Sequence, residues 1–264
     1  MTRVWPRPGD KPWRRSAFIA LSTAAALFAA GCSDGGNGKP RLVVSAASSL
    51  SEALTSCSAK FQAADVKLSL AGSDELAAQI RRGAKPDVFA AANTKLPEEL
   101  ESDGLLEKPV VFATNELVVA VPSGSNRVRS LDDLTRPGTK LAIGSASVPI
   151  GSYTRVLLSR LPPNQEDAIL KNVRSEEPDV KGVVGKLTQK AVDAGLVYRS
   201  DVAATAGNLA AIGLPKALEP TISYGAGVVK GTKQERAARQ FAQGLLSGPC
   251  ATALRDARFG PPPR

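Results

Sequence analysis

Short apolar runs alternate with amphipathic segments from residue 41 onward, and this alternation limits the fold more than any other feature of the sequence. The runs rich in small and β-branched residues predict strands; they cover residues 41–47, 66–72, 86–92, 117–122, 140–146, 194–202 and 222–231. Between them, apolar residues recur three or four positions apart, as at Leu50, Leu54, Cys57 and Phe61, which predicts helices. The alternation is typical of parallel sheets with helices on their faces. The sequence therefore predicts an α/β protein with about four strands in each half of the chain, arranged as two sheets.

The N-terminal segment is typical of a signal peptide. Residues 1–16 carry five basic residues and one acidic residue, and residues 17–31 form an uncharged run of small and apolar residues. This run is shorter than the ~20 residues of a membrane-spanning helix, and a basic segment before a short apolar run is typical of export signals. We therefore interpret residues 1–31 as a signal peptide, with both the Sec and the twin-arginine export routes open.

The apolar run ends in Ala29-Ala30-Gly31-Cys32, a pattern that resembles a bacterial lipobox. The resemblance implies that Cys32 is acylated, becomes the mature N-terminus and anchors the protein to the outer face of the cell membrane. The alternative is ordinary signal cleavage that leaves Cys32 unmodified. Residues 32–40 are polar and rich in glycine, as in a flexible tether.

Charge and composition exclude several classes of function. The net charge is +9, but without residues 1–16 it falls to +5, from 29 basic and 24 acidic residues, and no later run of Lys and Arg forms a stripe. Only 5% of the residues are aromatic, so a nucleic-acid interface is not indicated. The sequence has no histidine, which excludes Ser-His-Asp and Cys-His catalysis and histidine-ligated zinc. A serine hydrolase with a lysine base is a remote alternative, because S-x-x-K is absent and no G-x-S-x-G lies in the body of the chain from residue 41 onward.

Two cysteines remain in the exported body of the chain. Cys57 lies on the apolar stripe of its predicted helix, and Cys250 precedes Ala253 and Leu254 in a late helix. An oxidising compartment favours a disulfide between them. Two buried, unreacted thiols are the alternative.

Four strand-to-helix junctions could bind an anion. They are Ser48-Ser49, Gly72-Ser73, Pro149-Ile150-Gly151 and Asp179-Val180. Helix N-termini present unpaired N–H groups and a partial positive charge, and ligands of open α/β sheets bind at the carboxyl ends of strands. Each junction has a purely structural interpretation as well, since such residues are common helix caps.

The body of the chain, about residues 41–260, resembles the periplasmic molybdate-binding proteins of ABC importers. The segments that carry the resemblance occur in the family's order; they are VVSAASSLSEAL, AGSDELAAQIRRGAKPDVFAAAN, TNELVVAVP, SVPIGSYTRVLL, PDVKGVV and DAGLVYRSDV. The resemblance implies the two-lobed, type II periplasmic-binding-protein fold, in which each lobe is a mostly parallel sheet flanked by helices. It implies that residues 41–116 plus 224–264 form lobe I and that residues 117–223 form lobe II, with crossings near Asn115-Glu116 and Ser223-Tyr224.

The same resemblance implies the residues of an oxyanion site. Ser49 and Ser73 would each give a backbone N–H and a hydroxyl group, Ile150 and Val180 a backbone N–H group, and Tyr198 its phenol. The position of Ile150 is often alanine in the family, and a larger side chain there could crowd the cleft. The acidic residues Glu176, Glu177 and Asp179 follow closely, and we interpret them as cap and surface charges that point away from the ligand.

The implied function is extracytoplasmic binding of molybdate, and of tungstate, for delivery to the permease and ATPase of an ABC importer. We expect a monomer that needs no cofactor and uses no direct metal ligand. The alternative in the same class is a carrier of sulfate or of another tetrahedral oxyanion.

Overall fold

The computed structural model describes Met1 and residues 38–263. The predicted signal peptide, Cys32 and most of the tether lie outside the described residues. No helix within the described part of the chain is long and apolar enough to cross a membrane.

Residues 38–263 form ten strands and nine α-helices. The strands are β1 (Arg41–Ala47), β2 (Asp65–Ala71), β3 (Val88–Ala91), β4 (Val110–Asn115), β5 (Leu117–Pro122), β6 (Leu141–Gly144), β7 (Val173–Glu177), β8 (Ala194–Tyr198), β9 (Leu209–Ile212) and β10 (Ile222–Val228). The α-helices are α1 (Ser51–Lys60), α2 (Ser73–Arg81), α3 (Lys95–Ser102), α4 (Pro149–Leu158), α5 (Pro163–Lys171), α6 (Val180–Thr188), α7 (Arg199–Ala203), α8 (Glu235–Gly244) and α9 (Gly248–Asp256). Short 3₁₀ helices cover Ser48–Leu50, Asp132–Thr135 and Lys216–Leu218.

The strands form two five-stranded sheets, rather than sheets of about four strands. The first has the order β2-β1-β3-β10-β4, and the second has the order β7-β6-β8-β5-β9. In the first sheet β10 is antiparallel to both of its neighbours. In the second sheet β5 is likewise antiparallel to both of its neighbours. The neighbouring pairs formed by β1, β2 and β3, and by β6, β7 and β8, are parallel. Four of the five strands in each sheet therefore run in the same direction, and each sheet is mostly parallel, as predicted.

The chain crosses between the sheets twice. The first crossing lies between β4 and β5, at the predicted Asn115-Glu116. The predicted return at Ser223-Tyr224 falls inside β10, because Ile222 already pairs with Asn115 in the first sheet. The return therefore occurs earlier, between the end of β9 at Ile212 and the start of β10. We call residues 38–115 and 222–263 lobe I, and residues 116–221 lobe II.

Burial follows the position of each strand in its sheet. The central strand β8 is buried along its whole length and consists of small and apolar residues with one tyrosine. The edge strand β2 is half-buried to exposed and alternates polar with apolar residues. This difference is expected because a central strand of an α/β sheet is covered by helices on both faces.

The two late helices α8 and α9 complete lobe I. Cys57 of α1 and Cys250 of α9 are both buried and form a disulfide with a Cα–Cα distance of 4.5 Å. The bond joins residues 193 positions apart in the sequence, so it fastens the C-terminal part of the chain to the first helix.

Candidate functional site

The five residues predicted to contact an oxyanion line one cavity between the lobes. Lobe I contributes Ser49 and Ser73, and lobe II contributes Ile150, Val180 and Tyr198. Each lies where a strand passes into a helix: β1, β2, β6, β7 and β8 are the strands concerned. The site therefore forms at the carboxyl ends of strands from both sheets.

The cavity is small. Its volume is about 20 Å³, somewhat more than one water molecule requires. A cavity of this volume suits a small anion.

Helix N-termini supply the backbone donors of the cavity. Ser73 is the first residue of α2, Val180 is the first residue of α6, and Ile150 is the second residue of α4. N–H groups in the first turn of a helix have no acceptor within that helix, and the helix dipole adds partial positive charge there. Pro149 suits the start of α4, because its missing N–H and fixed φ cost nothing at that position.

Three side-chain hydroxyl groups face the same cavity. The Ser73 Oγ accepts a hydrogen bond from the Ala92 N–H at 3.1 Å, which leaves the Ser73 hydroxyl proton free. The Ser49 Oγ lies 3.0 Å from the phenol oxygen of Tyr224. The Tyr198 phenol oxygen is buried and has no hydrogen-bond partner among the described residues. A buried hydroxyl without a partner is costly, so a ligand that accepts its proton would remove that cost.

The phenols are neutral donors. Burial raises the pKa of Tyr198 well above its ordinary value, and the neighbouring Tyr224, Tyr153 and Asp201 raise it further. Burial likewise raises the pKa of Tyr224. Both phenols therefore keep their protons at neutral pH.

Neither Lys nor Arg lines the cavity, and the nearby acidic side chains are engaged elsewhere. Asp179 belongs to the cavity wall, but its carboxylate caps α6 by accepting the Gly182 N–H at 3.0 Å. Glu176 pairs with Arg155 at 3.2 Å. Glu177 accepts a hydrogen bond from Ser175 and lies 3.8 Å from the Lys186 ammonium group. The donors that face a ligand are thus neutral.

The Ile150 side chain does not obstruct the cavity. It is buried, and it packs against Gly144 at the end of β6, where an added Cβ would lie 2.5 Å from the Ile150 Cγ2. The glycine therefore provides the room that the larger side chain needs. Gly151 is equally constrained, because a Cβ there would lie 1.8 Å from the carbonyl oxygen of Ser145.

An ion pair spans the lobes beside the cavity. The Lys181 Nζ of α6 lies 2.9 Å from Glu52 Oε1 of α1 and 3.5 Å from Asp201 Oδ1. The Asp201 side chain is fully buried, and burial raises its pKa to about 7 although Lys181 opposes the shift. Asp201 also accepts the Tyr198 N–H at 3.3 Å, so this group helps to position Tyr198.

Sequence analysis places Gly72 at a junction and Asn115 and Tyr224 at lobe crossings, but it does not predict the contacts that these residues and Lys181 make near the site. Their roles depend on contacts between segments that are distant in the sequence. Gly72 offered one signal, since a glycine between a strand and a helix can mark a close approach of backbone. Nothing in the local pattern around Asn115 or Tyr224 indicates that they meet.

Comparison with known proteins gives concordant results. The family of bacterial extracellular solute-binding proteins matches residues 42–259. The molybdate-binding protein ModA of Mycobacterium tuberculosis (strain ATCC 25618 / H37Rv) is 35% identical over 267 aligned positions, which cover 93% of this chain and 99% of that protein.

Solved structures agree with the sequence relatives. The substrate-binding domain of a putative molybdenum ABC transporter from Clostridium difficile is 27% identical with a TM-score of 0.65, covering 84% of this chain and 99% of that one. The periplasmic molybdate-binding protein of Azotobacter vinelandii has a TM-score of 0.76 at 21% identity, covering 84% of this chain and 100% of that one. The latter likeness shows the shared fold.

Proposed function

Because this chain belongs to the molybdate-binding branch of the bacterial extracellular solute-binding proteins, we propose that it binds molybdate outside the cytoplasm and delivers it to an ABC importer. The observation that carries the proposal is the meeting of Ser49 and Ser73 of lobe I with Ile150, Val180 and Tyr198 of lobe II at one small cavity. The family consists of carriers rather than enzymes. Consistent with that, the Ser49 hydroxyl is hydrogen-bonded to a tyrosine and the Ser73 hydroxyl to a backbone N–H. Neither partner is a base of the kind that a serine hydrolase requires.

The donors are sufficient for tight binding. Ser49 and Ser73 give two each, and Ile150, Val180 and Tyr198 give one each, which makes seven. Hydrogen bonds to a charged group contribute about 1.5–3 kcal/mol each, so seven give roughly 10–20 kcal/mol before ordering and closure costs. Nanomolar affinity requires about 12 kcal/mol. A dianion can therefore be held without a lysine or arginine counter-ion.

The chemistry of the donors favours a fully deprotonated tetrahedral oxyanion. Molybdate and tungstate present only acceptor oxygens and have nearly the same size, so the proposal includes both. Sulfate is the alternative: it has the same acceptor pattern, but its smaller radius gives looser contacts in the same cavity. Hydrogen phosphate brings a proton that needs an acceptor, whereas all seven proposed contacts serve as donors.

The location and assembly follow from the N-terminal sequence. We propose that residues 1–31 direct export, that Cys32 carries the lipid anchor on the outer face of the cell membrane, and that residues 32–40 let the body reach a permease. We also propose that the binding unit acts as a monomer; both halves of the proposed site come from one chain, which supports this.

Calorimetric titration of the purified chain with molybdate, tungstate, sulfate and phosphate tests the proposal. We expect tight binding of molybdate and tungstate, and much weaker binding of sulfate and phosphate. Tight binding of sulfate alone would show that sulfate, rather than molybdate, is the substrate. Binding of none of these anions would overturn the proposed function.

The role of Ser73 is tested by Ser73→Ala, because that change removes one charge-assisted hydrogen bond and leaves the backbone donor. We expect molybdate affinity to fall by about tenfold or more in a chain that still folds, with a somewhat lower midpoint of thermal unfolding because the buried Ala92 N–H loses its acceptor. Ser152→Ala is the matched control, since Ser152 is exposed on α4 and does not line the cavity. An affinity of Ser73→Ala equal to that of the control contradicts the assignment.

A further inference from the structure

Ser49 is connected to two buried residues that lie behind the cavity wall. The Tyr224 phenol oxygen of β10 is 3.0 Å from the Ser49 Oγ, and the Asn115 Nδ2 at the end of β4 is 3.4 Å from that phenol oxygen. All three residues are buried. Tyr224 and Asn115 do not line the cavity, so they affect a ligand through the residues that do: Ser49, which Tyr224 contacts by a hydrogen bond, and Tyr198, whose ring packs against that of Tyr224.

The direction of this chain of hydrogen bonds follows from one backbone group. The Glu116 N–H can only donate, and it lies 2.9 Å from the Asn115 Oδ1. The Asn115 amide is thereby oriented with its Nδ2 toward Ser200, at 2.8 Å, and toward Tyr224. Because an amide NH₂ group only donates, the Tyr224 oxygen accepts from Asn115.

The single phenol proton of Tyr224 is then available to Ser49. With Tyr224 as the donor of this bond, the Ser49 Oγ accepts and the Ser49 hydroxyl proton is directed into the cavity that Ser49 lines. Ser73 shows the same arrangement in a simpler form, because its oxygen accepts from the Ala92 N–H. Both serines thus have their acceptor side occupied by a fixed donor of the protein.

We propose that Asn115 and Tyr224 are positioning residues that hold the Ser49 hydroxyl group as a donor and so select oxyanions that carry no proton. The proposal rests on the proposed function, since it concerns the same oxyanion site. A serine hydroxyl that was free to rotate could accept a proton from a ligand as readily as donate one. The relay from Asn115 through Tyr224 removes that choice, and hydrogen phosphate meets a donor where it needs an acceptor.

The test is a double-mutant cycle on molybdate affinity with Tyr224→Phe and Ser49→Ala, measured by calorimetric titration of the full chain. Tyr224→Phe keeps the ring, which packs edge-on against Phe112, Tyr198 and Phe259, so the fold should be retained. We expect Tyr224→Phe to weaken molybdate binding about two- to tenfold when Ser49 is present. In the Ser49→Ala background we expect the same change to have less than about a twofold effect, because the relay no longer reaches the ligand.

The control and the selectivity measurement separate positioning from packing. Thr139→Val removes a buried hydroxyl group of lobe II that neither lines the cavity nor belongs to the relay, and it should leave affinity unchanged. A competition experiment measures the phosphate concentration that displaces half of the bound molybdate. Tyr224→Phe should lower that concentration by a larger factor than the factor by which it lowers molybdate affinity. The relay is overturned if Tyr224→Phe lowers molybdate affinity equally with Ser49 and with Ser49→Ala. It is also overturned if the phosphate concentration for half displacement falls only in proportion to molybdate affinity. A wild-type chain that binds no molybdate overturns the proposed function instead.

Discussion

Gly72→Ala provides a direct test of whether binding depends on closure of the lobes. Gly72 precedes α2 in lobe I, and a Cβ at this position would lie 2.6 Å from the carbonyl oxygen of Pro178 in lobe II. Its backbone angles, φ −59° and ψ 137°, are ordinary for alanine. Within lobe I an added Cβ would lie 2.9 Å from the Asp74 Oδ1, the end of a side chain that can rotate away, whereas the backbone obstruction by Pro178 exists only when the lobes are together.

The magnitude follows from the distance. An ordinary van der Waals contact begins at about 3.4 Å, so the Pro178 carbonyl must retreat by about 0.8 Å. A hydrogen bond of about 2.9 Å stretched by that amount is no longer a hydrogen bond. Pro178 precedes Val180 by two residues, so at least the lobe II contact through Val180 is weakened. The loss of one charge-assisted hydrogen bond costs about 1.5–3 kcal/mol, or about 10- to 150-fold in molybdate affinity.

The assay is calorimetric titration with molybdate, together with thermal unfolding of the unliganded chain. We expect weaker binding with an unfolding midpoint that is unchanged or slightly higher, because alanine reduces the entropy of the unfolded chain. Gly185→Ala is the control: Gly185 lies in α6 with no atom within 4 Å of an added Cβ, and its substitution should stabilise the helix without affecting affinity. If Gly72→Ala binds molybdate within about twofold of the wild type, the close approach of Gly72 and Pro178 does not belong to the bound state.

Two further predictions concern stability. Replacing both Cys57 and Cys250 by alanine should lower the free energy of unfolding by about 2–5 kcal/mol in denaturant titrations without changing molybdate affinity, since the disulfide lies in lobe I away from the cavity; equal stability of the two forms would show that the bond does not form. Burial raises the pKa of Asp201 from 3.8 to about 7, and a carboxyl group whose pKa is higher in the folded than in the unfolded chain disfavours folding where it is ionised. The wild type should therefore gain thermal stability as the pH falls from about 7 toward 4, and Asp201→Asn should reduce that gain. A parallel pH dependence of wild type and variant would contradict the assignment.

Sequence analysis identified the central strands and missed three at the edges. The missed strands are β4, β7 and β9, and each is the last strand at one side of its sheet. β7 has the sequence VRSEE and is at most half-buried, so its residues show neither a continuous apolar run nor a clean alternation. An edge strand is paired on one side only and needs less apolar surface than a central one. The type II fold was nevertheless predicted, because the resemblance depends on the junctions rather than on the edges, and the family assignment confirms it.

The predicted site residues came from a different source than the predicted strands. Periodicity alone identified strand-to-helix junctions that had equally good interpretations as helix caps, and only the family resemblance selected Ser49 over Ser48. The structure brings the five selected positions to one cavity. Gly72 and the relay residues could not be found in this way, because their roles arise from distances between segments separated by more than 100 positions, such as the 175 positions between Ser49 and Tyr224.

The division of donors between the lobes provides a route to ligand release. Lobe I supplies four of the seven proposed donors, through Ser49 and Ser73, and lobe II supplies three. When the lobes separate, the ligand loses all three lobe II donors at once, roughly 4.5–9 kcal/mol of interaction. That loss corresponds to about three to six powers of ten in affinity. A transporter that separates the lobes therefore needs no competing ligand to discharge the anion, and the absence of a lysine or arginine at the cavity means that no strong ion pair holds it back.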